Sequence, residues 1–469
     1  MITKKDLLSI LTFMFFGTST LFAQTDWTMA NANSNRTSCV ANETELEPPF
    51  LEESEIPIKA SRLAAKDNIL IMAISGTPNT IKGYNLDTKT VIWEFSIPGT
   101  AGSPGMIPSI SGNTVFVTGQ HGKGLYALDL TTGTKNWLRP FNSLYAQNSI
   151  TDNNQHVFIT SGDSLFCLNV EDGKTVWSFL APGLVSPTIK NDTVFITSAT
   201  SLNALNSSNG EVFWTKDISN SQSRHMPVDN NTIYHLGKDR IRAYDINDGT
   251  EKWEYLTPNN FNVAYYLEGS GCLTDSILFA SLLSSSDSSR IVALNKFTGK
   301  IIWEYVPTQK TFLIPPIAAN GFIYAVSYFK KLIVLKEKTG EVVLEDSKIT
   351  GKAIIHNHKL FACTNNSIII YNPQSLANKT IELNNQDISV FPNPSGNKIN
   401  VSYNLENSKH VKIELYDLSG NMVALLLDKN EETGKHQHTY NAEKYNNGTY
   451  LLLLNDGEKL IKQKVVILK

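Results

Sequence analysis

Leu125–Trp137 reads LYALDLTTGTKNW and Leu165–Trp177 reads LFCLNVEDGKTVW. Leu202–Trp214 (LNALNSSNGEVFW), Ile241–Trp253 (IRAYDINDGTEKW) and Ile291–Trp303 (IVALNKFTGKIIW) repeat the same plan. Each copy is an apolar alternating run, an Asp or Asn, a tight turn with Gly, and a second run that carries a Trp. Alternation with period two puts successive side chains on opposite faces of a strand. The Asx side chain caps the turn, and Gly supplies positive φ where the chain reverses. Six copies share one spacing: Trp93, Trp137, Trp177, Trp214, Trp253 and Trp303 stand eight residues beyond Asn85, Asp129, Asn169, Asn206, Asp245 and Asn295. The first copy departs in one place, with Lys89 where the others have Gly. A large flat side chain locked to one position of a repeat meets the neighbouring repeat. The six indoles are therefore expected to pack one unit against the next, not to converge as an aromatic ligand cage.

Two weaker copies follow. Lys336, Gly340 and Leu344 hold the turn, Gly and Trp positions of one; Asn372, Leu376 and Thr380 hold those of the other. Steps between turn residues run from 36 (Lys336 to Asn372) to 50 (Asp245 to Asn295). That is the size of a four-stranded propeller blade. Another pair of short strands precedes each motif, as in Ser186–Thr200 (SPTIKNDTVFITSAT), and no helical period is visible. The expectation is an all-β chain: an eight-bladed β-propeller over residues 24–383, then a small C-terminal β-sandwich over 388–469. The last copy lacks both Gly and Trp, so Pro48-Pro49-Phe50-Leu51 is expected to supply its outer strand from the N-terminus.

Lys4 and Lys5 followed by the apolar Leu7–Phe22 and by Ala23 read as a signal peptide over residues 1–23. Gly17, Ser19 and Thr20 interrupt the run, which argues against a membrane anchor. No cysteine follows it to carry a lipid, and the mature chain offers no transmembrane segment. With 41 basic against 44 acidic residues there is no basic excess, which excludes a nucleic-acid binder. Cys39, Cys167, Cys272 and Cys363 form no CxxC and no adjacent pair. Cys167 and Cys363 sit in apolar runs and read as small buried hydrophobes.

The pattern in Ala127–Trp137 resembles the repeat of PQQ-like, quinoprotein-type propellers. Asp26–Thr37 (DWTMANANSNRT) and Leu46–Phe50 (LEPPF) are similar to that family's lead-in, so the likeness covers residues 26–383. It implies a closing strand added to the last blade from the N-terminus. A second likeness begins at Ile388. Val390–Leu405 (VFPNPSGNKINVSYNL), Val411–Val423 (VKIELYDLSGNMV) and Gly448–Lys469 resemble the type A C-terminal sorting domain of the type IX secretion system. Pro392, Asn393, Pro394, Gly420 and Gly448 carry the match. It implies an encounter with that secretion machinery, and a product released from or held at the outer surface of a gram-negative bacterium.

The family's enzymes hold PQQ and calcium in the central funnel against an adjacent-cysteine disulfide. This sequence has no Cys-Cys pair, and its Asp and Asn residues are mostly consumed by turns. No catalytic, cofactor-binding or metal-ligating residue is therefore expected. A PQQ-dependent quinoprotein oxidoreductase stands as the alternative. His356 and His358 in Ile354–Leu360 (IIHNHKL) are expected to alternate along a strand and face one side, either as a metal pair or as plain hairpin surface. Variable, longer loops fall at the D-to-A and B-to-C connections and carry His121, Tyr145, Arg224, His225, Phe261, Tyr265, Tyr266, Lys310 and Phe312. Long loops on a rigid scaffold concentrate binding chemistry. They form the expected ligand face of a secreted or cell-surface, non-catalytic module for an extracellular protein or glycan.

Overall fold

The computed structural model of the chain describes residues 26–30, 32–76, 78–98, 107–119, 124–141, 150–151, 155–218, 223, 226–264, 271–284, 289–308, 313–327, 331–373, 388–417, 422–456 and 460–469. These divide into two compact units, residues 1–46 with 52–371, and residues 47–51 with 372–469.

In the first unit the repeat becomes a series of antiparallel sheets. Arg62–Lys66, Ile69–Ile74, Asn79–Asn85 and Thr90–Ile97 form the first, each strand paired with the next. Among the described residues eight such sheets succeed one another up to Pro373. Seven draw their strands from consecutive sequence, and the seventh also takes Cys39–Val40 as a parallel partner of Ile317–Ala319. In the last sheet Ala353–His356, Lys359–Cys363 and Ile368–Pro373 are completed by Phe50–Ile56 as the outer strand. The outer strand thus comes from the N-terminal side, as the missing Gly and Trp led one to expect. Leu376 and Thr380, read as part of that copy, lie outside the described residues. The ring returns on itself between its last and first sheets, where His356 Nε2 lies 2.7 Å from the Asp67 carbonyl oxygen.

The indoles hold each sheet to the next. Trp93 Nε1 donates to the Leu130 carbonyl at 2.8 Å, and Trp177 Nε1 to that of Ser207 at 2.9 Å. Trp137, Trp214, Trp253 and Trp303 do the same to Val170, Ile246, Lys296 and Glu337. The flat ring lies on the turn glycine of that next sheet: a Cβ added to Gly133 would come within 2.6 Å of Trp93. Each of five indoles also meets an aromatic ring of its own sheet, as Phe158 meets Trp177 at 5.8 Å. Burial is accordingly distributed in the wedges between sheets. One such cluster mixes Ile71, Ile81 and Trp93 with Val115, Tyr126 and Leu128.

The second unit is a β-sandwich. Ile388–Phe391, Lys398–Leu405 and Gly434–Asn441 form one sheet; Met422–Glu431, Lys409–Tyr416, Gly448–Asn455 and Leu460–Ile467 form the other. Ile399, Val401, Ile413, Leu415, Leu452 and Val465 are buried between them.

Candidate binding site

The polar run after Asp26 looks like loop in the sequence, yet it lies along the inner strands of the ring. Trp27 pairs with Ala65, the Ile110 amide donates to the Thr28 carbonyl, and Ile189 to that of Ser34. Val228, Leu273 and Ala318 donate in turn to the carbonyls of Asn35, Thr37 and Ser38. The carbonyls of Thr28, Ser34, Asn35, Thr37 and Ser38 thus satisfy inner-strand amides of successive sheets, groups that would be costly to bury unpaired. Arg36 sits wholly buried at the centre of this run. Its Nε and Nη2 donate to the Pro187 carbonyl, 3.3 Å each, and its Nη1 to that of Ala30 at 3.1 Å. Burial pushes its guanidinium down to about 9.

Beside the start of this segment lies a small cleft of about 70 Å³, lined by Trp27, Arg62, Lys352 and apolar residues that include Leu63, Ile107 and Ile314. Its position follows from the strand order. Arg62 and Lys352 open or precede the innermost strands of the first and last sheets, and Ile107 and Ile314 precede those of the second and seventh. The cleft therefore opens on the side of the D-to-A connections, the side the sequence singled out for binding. Arg62 and Lys352 are both partly buried. Two cations and an indole among apolar residues suit a ligand that offers a negative group on an apolar or ring-shaped body.

Of the nine loop residues expected to form the ligand face, Phe261 is the one described. It opens the strand Phe261–Val263, half-buried, with the Arg290 guanidinium over its ring at 4.1 Å and Arg290 in turn paired with Glu304 at 2.8 Å. It is a stacked packing residue and not part of the cleft. His121, Tyr145, Arg224, His225, Tyr265, Tyr266, Lys310 and Phe312 lie outside the described residues. The sequence reading passed over Trp27, Arg62 and Lys352. A signal was present: Trp27 is the one tryptophan of seven that stands off the repeat.

His356 and His358 do not share a face. Asn357 and His358 have φ of 47° and 59° and form the turn after Ala353–His356, so the alternation stops at His356. His356 is buried toward Asp67, whereas His358 Nδ1 lies 3.0 Å from Glu43. The four cysteines are free thiols, three of them buried. Burial pushes Cys39 and Cys363 up to about 12, away from nucleophilic reactivity.

In the second unit the Pro392-Asn393-Pro394 motif ties the start of the sandwich to its last strand. Asn393 donates through Nδ2 to the Lys464 carbonyl at 2.7 Å and accepts from the Val466 amide at 2.8 Å. Gly448 opens the strand Gly448–Asn455, and Gly420 lies outside the described residues.

Comparison with known proteins agrees with this architecture. The family model described as secretion system C-terminal sorting domain matches residues 389–468. The model described as outer membrane protein assembly factor BamB matches three times, over residues 77–188, 180–268 and 272–375, which is more than half of the chain. A tetrathionate hydrolase of Acidithiobacillus ferrooxidans is 22% identical over 60% of this chain and 50% of its own length. BamB of Yersinia pestis is 22% identical over 56% of this chain and 62% of its own length. The chain thus spans between half and two thirds of these relatives. Among solved structures, BamB from Moraxella catarrhalis superposes with a TM-score of 0.56 at 17% identity, over 69% of this chain and 99% of that one. Quinohemoprotein alcohol dehydrogenase from Comamonas testosteroni gives 0.58 at 11%, over 74% and 80%. These structural likenesses establish the fold alone. The chain belongs to the BamB-type family of PQQ-like β-propellers and carries a type IX C-terminal sorting domain, which assigns it to the outside or the outer surface of a gram-negative cell.

Proposed function

We propose that this chain is a non-catalytic binding protein of the cell exterior, and that an acidic group of its protein or glycan partner seats in the cleft of Trp27, Arg62 and Lys352. The observation that carries this reading is the cleft itself, two cations and an indole among apolar residues on the loop side of the ring. Two further features favour binding over quinone chemistry. The run from Trp27 to Val40 lies against the inner strands, in the funnel where the resembled enzymes hold PQQ. The sequence also lacks the adjacent cysteines those enzymes place against that ring. These residues do not fit the quinone, and no step through it is derived.

The test is a panel of acidic and neutral glycans and peptides presented to the full chain. Binding of an acidic member should weaken by about 10-fold in Arg62→Ala/Lys352→Ala and fall with added salt. Dye-linked oxidation of an alcohol or sugar on adding PQQ and calcium would overturn the reading. So would binding that ignores both substitutions.

A further inference from the structure

The C-terminal sandwich holds a side-chain constellation that the sorting role does not use. Met422–Glu431 is the edge strand of one sheet, and Gly434–Asn441 is the edge strand of the other. The short turn between them brings Glu431 of the first against His436 and His438 of the second. Side chains two apart on a strand share a face. The inward positions of Gly434–Asn441 are accordingly His436, His438 and Tyr440, where a sandwich core would ordinarily place aliphatic residues.

The geometry is that of a ligand set. His436 Nδ1 lies 2.7 Å from Glu431 Oε2, and His438 Nε2 lies 3.0 Å from Glu431 Oε1. One donor atom from each of the three residues falls within 4.8 Å of the other two. Tyr403, on the neighbouring strand, stacks on both imidazoles at 5.4 and 5.9 Å and keeps their planes within 2° of parallel. His436 is held from behind: its Nε2 lies 2.7 Å from the Glu432 carbonyl oxygen. That oxygen can only accept, so Nε2 carries a proton, and Nδ1 is the ring nitrogen turned toward the Glu431 carboxylate. Backbone-anchored imidazole is also the usual outer support of a metal ligand.

The carboxylate itself is placed to bind. Glu431 is buried, and its Oε1 faces His438 and Lys429, each 3.0 Å away. It is aimed into the cluster, where a metal ion would satisfy it. Lys429 is more than half exposed and has room to turn away.

We propose that Glu431, His436 and His438 form a divalent transition-metal site, of the class that takes zinc, which clips the edge strand of one sheet of the C-terminal domain to that of the other. Two imidazoles and a carboxylate are a zinc donor set with a fourth position open to water. With metal–ligand bonds of about 2.1 Å in a tetrahedron, donor atoms stand about 3.4 Å apart, so the contacts of 2.7 and 3.0 Å open by about 0.7 and 0.4 Å on loading.

The experiment uses the full chain, stripped with chelator and dialysed against zinc. It should retain one zinc per chain with a dissociation constant of about 1 μM or tighter, and cobalt(II) in its place should give visible ligand-field bands. His436→Gln/His438→Gln should bind about 100-fold more weakly or worse. His410→Gln, at the exposed contact of 2.6 Å with Asp428, should bind as the parent does. Should the double variant fail to fold, Glu431→Gln keeps the shape of the side chain and gives the same readout. Absence of stoichiometric zinc from the parent, or binding that survives the folded cluster variants, would overturn the site. Binding lost in His410→Gln would place the metal elsewhere and overturn it equally.

Discussion

The indole of Trp177 lies on Gly210 of the following sheet, where an added Cβ would stand 2.7 Å from its Cε3, and its Nε1 donates to the Ser207 carbonyl at 2.9 Å. The contact joins two copies of the repeat, so it belongs to neither sheet alone. Because each sheet meets only its neighbours, such contacts carry the cohesion of the ring.

Trp177→Ala removes a buried ring and leaves a cavity between two sheets, at a cost of about 3–5 kcal/mol. Gly210→Ala attacks the same contact from the other side, and a Cβ there is doubly unfavourable because φ is +75°. The two costs should not add, since both break one contact. Urea unfolding of the full chain measures this. An unchanged midpoint in Trp177→Ala would remove the indole from the inter-sheet role.

Lys89 is expected to behave in the opposite way. It occupies the turn position with φ of +56°, where the other copies have Gly at about the same angle. The sheet that precedes it round the ring ends in Phe50–Ile56, which has no Trp to press on the turn. Its side chain instead reaches toward Glu53, with Nζ 3.7 Å from Oε1. Lys89→Gly should therefore leave stability unchanged or raise it by up to about 1 kcal/mol, the relief of a left-handed residue outweighing an exposed ion pair. Thermal melting decides it; a loss of several degrees would contradict this account of the first copy.

The strands, the turns and the inter-sheet tryptophans could be read from the sequence because they repeat. What the repeat does not encode was harder to see. Trp93 pairs with Gly83 and Val91 with Tyr84, which leaves Ile92 as the extra residue of a bulge. Strict alternation would bury one of Val91 and Ile92, yet they are 41% and 40% exposed. The run from Trp27 to Val40 is rich in Asn and Ser and has no period, so nothing local marks it as the inner lining of the ring. Its partners are inner-strand amides far along the chain. The cleft gathers Trp27, Arg62 and Lys352 from distant stretches, and only the order of the sheets brings them together. His356 and His358 failed as an alternating pair because the sequence does not reveal where a strand gives way to its turn.

Asp129 makes the turn chemistry sensitive to acid. Its Oδ1 accepts from the amides of Thr131 and Thr132 at 2.9 and 2.8 Å, and Oδ2 accepts from Asn113 at 2.6 Å. Burial works against the charge, but the Thr131 and Thr132 hydrogen bonds outweigh it and hold the carboxyl below its usual value. A carboxyl depressed in the folded state contributes stability that is complete above its unfolded value, about 3.9, and lost as pH falls through the folded one. Asp129→Asn keeps the Oδ1 acceptor but turns an amide on Asn113. It should cost about 0.5–1.5 kcal/mol at pH 7, and the gap to the parent should close below about pH 4. Denaturant titrations at pH 7 and in acid test the sign. A gap that widens in acid would contradict it.

The sorting motif makes the last prediction. Asn393 bonds to both the Lys464 carbonyl and the Val466 amide, and the Ser395 amide donates to the Val466 carbonyl at 2.6 Å. The first residues of the domain thus fix the position of its final strand, Leu460–Ile467. Removing residues 388–469 should leave the propeller in the periplasm, because the portion that meets the secretion machinery is gone. Asn393→Ala loses two exposed hydrogen bonds, about 1 kcal/mol, and should leave the sandwich folded with a frayed last strand. If the machinery reads the assembled terminus, this variant is exported in reduced yield although the domain still folds. Cell fractionation with detection of the chain in medium, outer surface and periplasm separates these outcomes. Undiminished export of the truncated chain would refute the sorting role, and undiminished export of Asn393→Ala would show that pinning the last strand is not part of what is read.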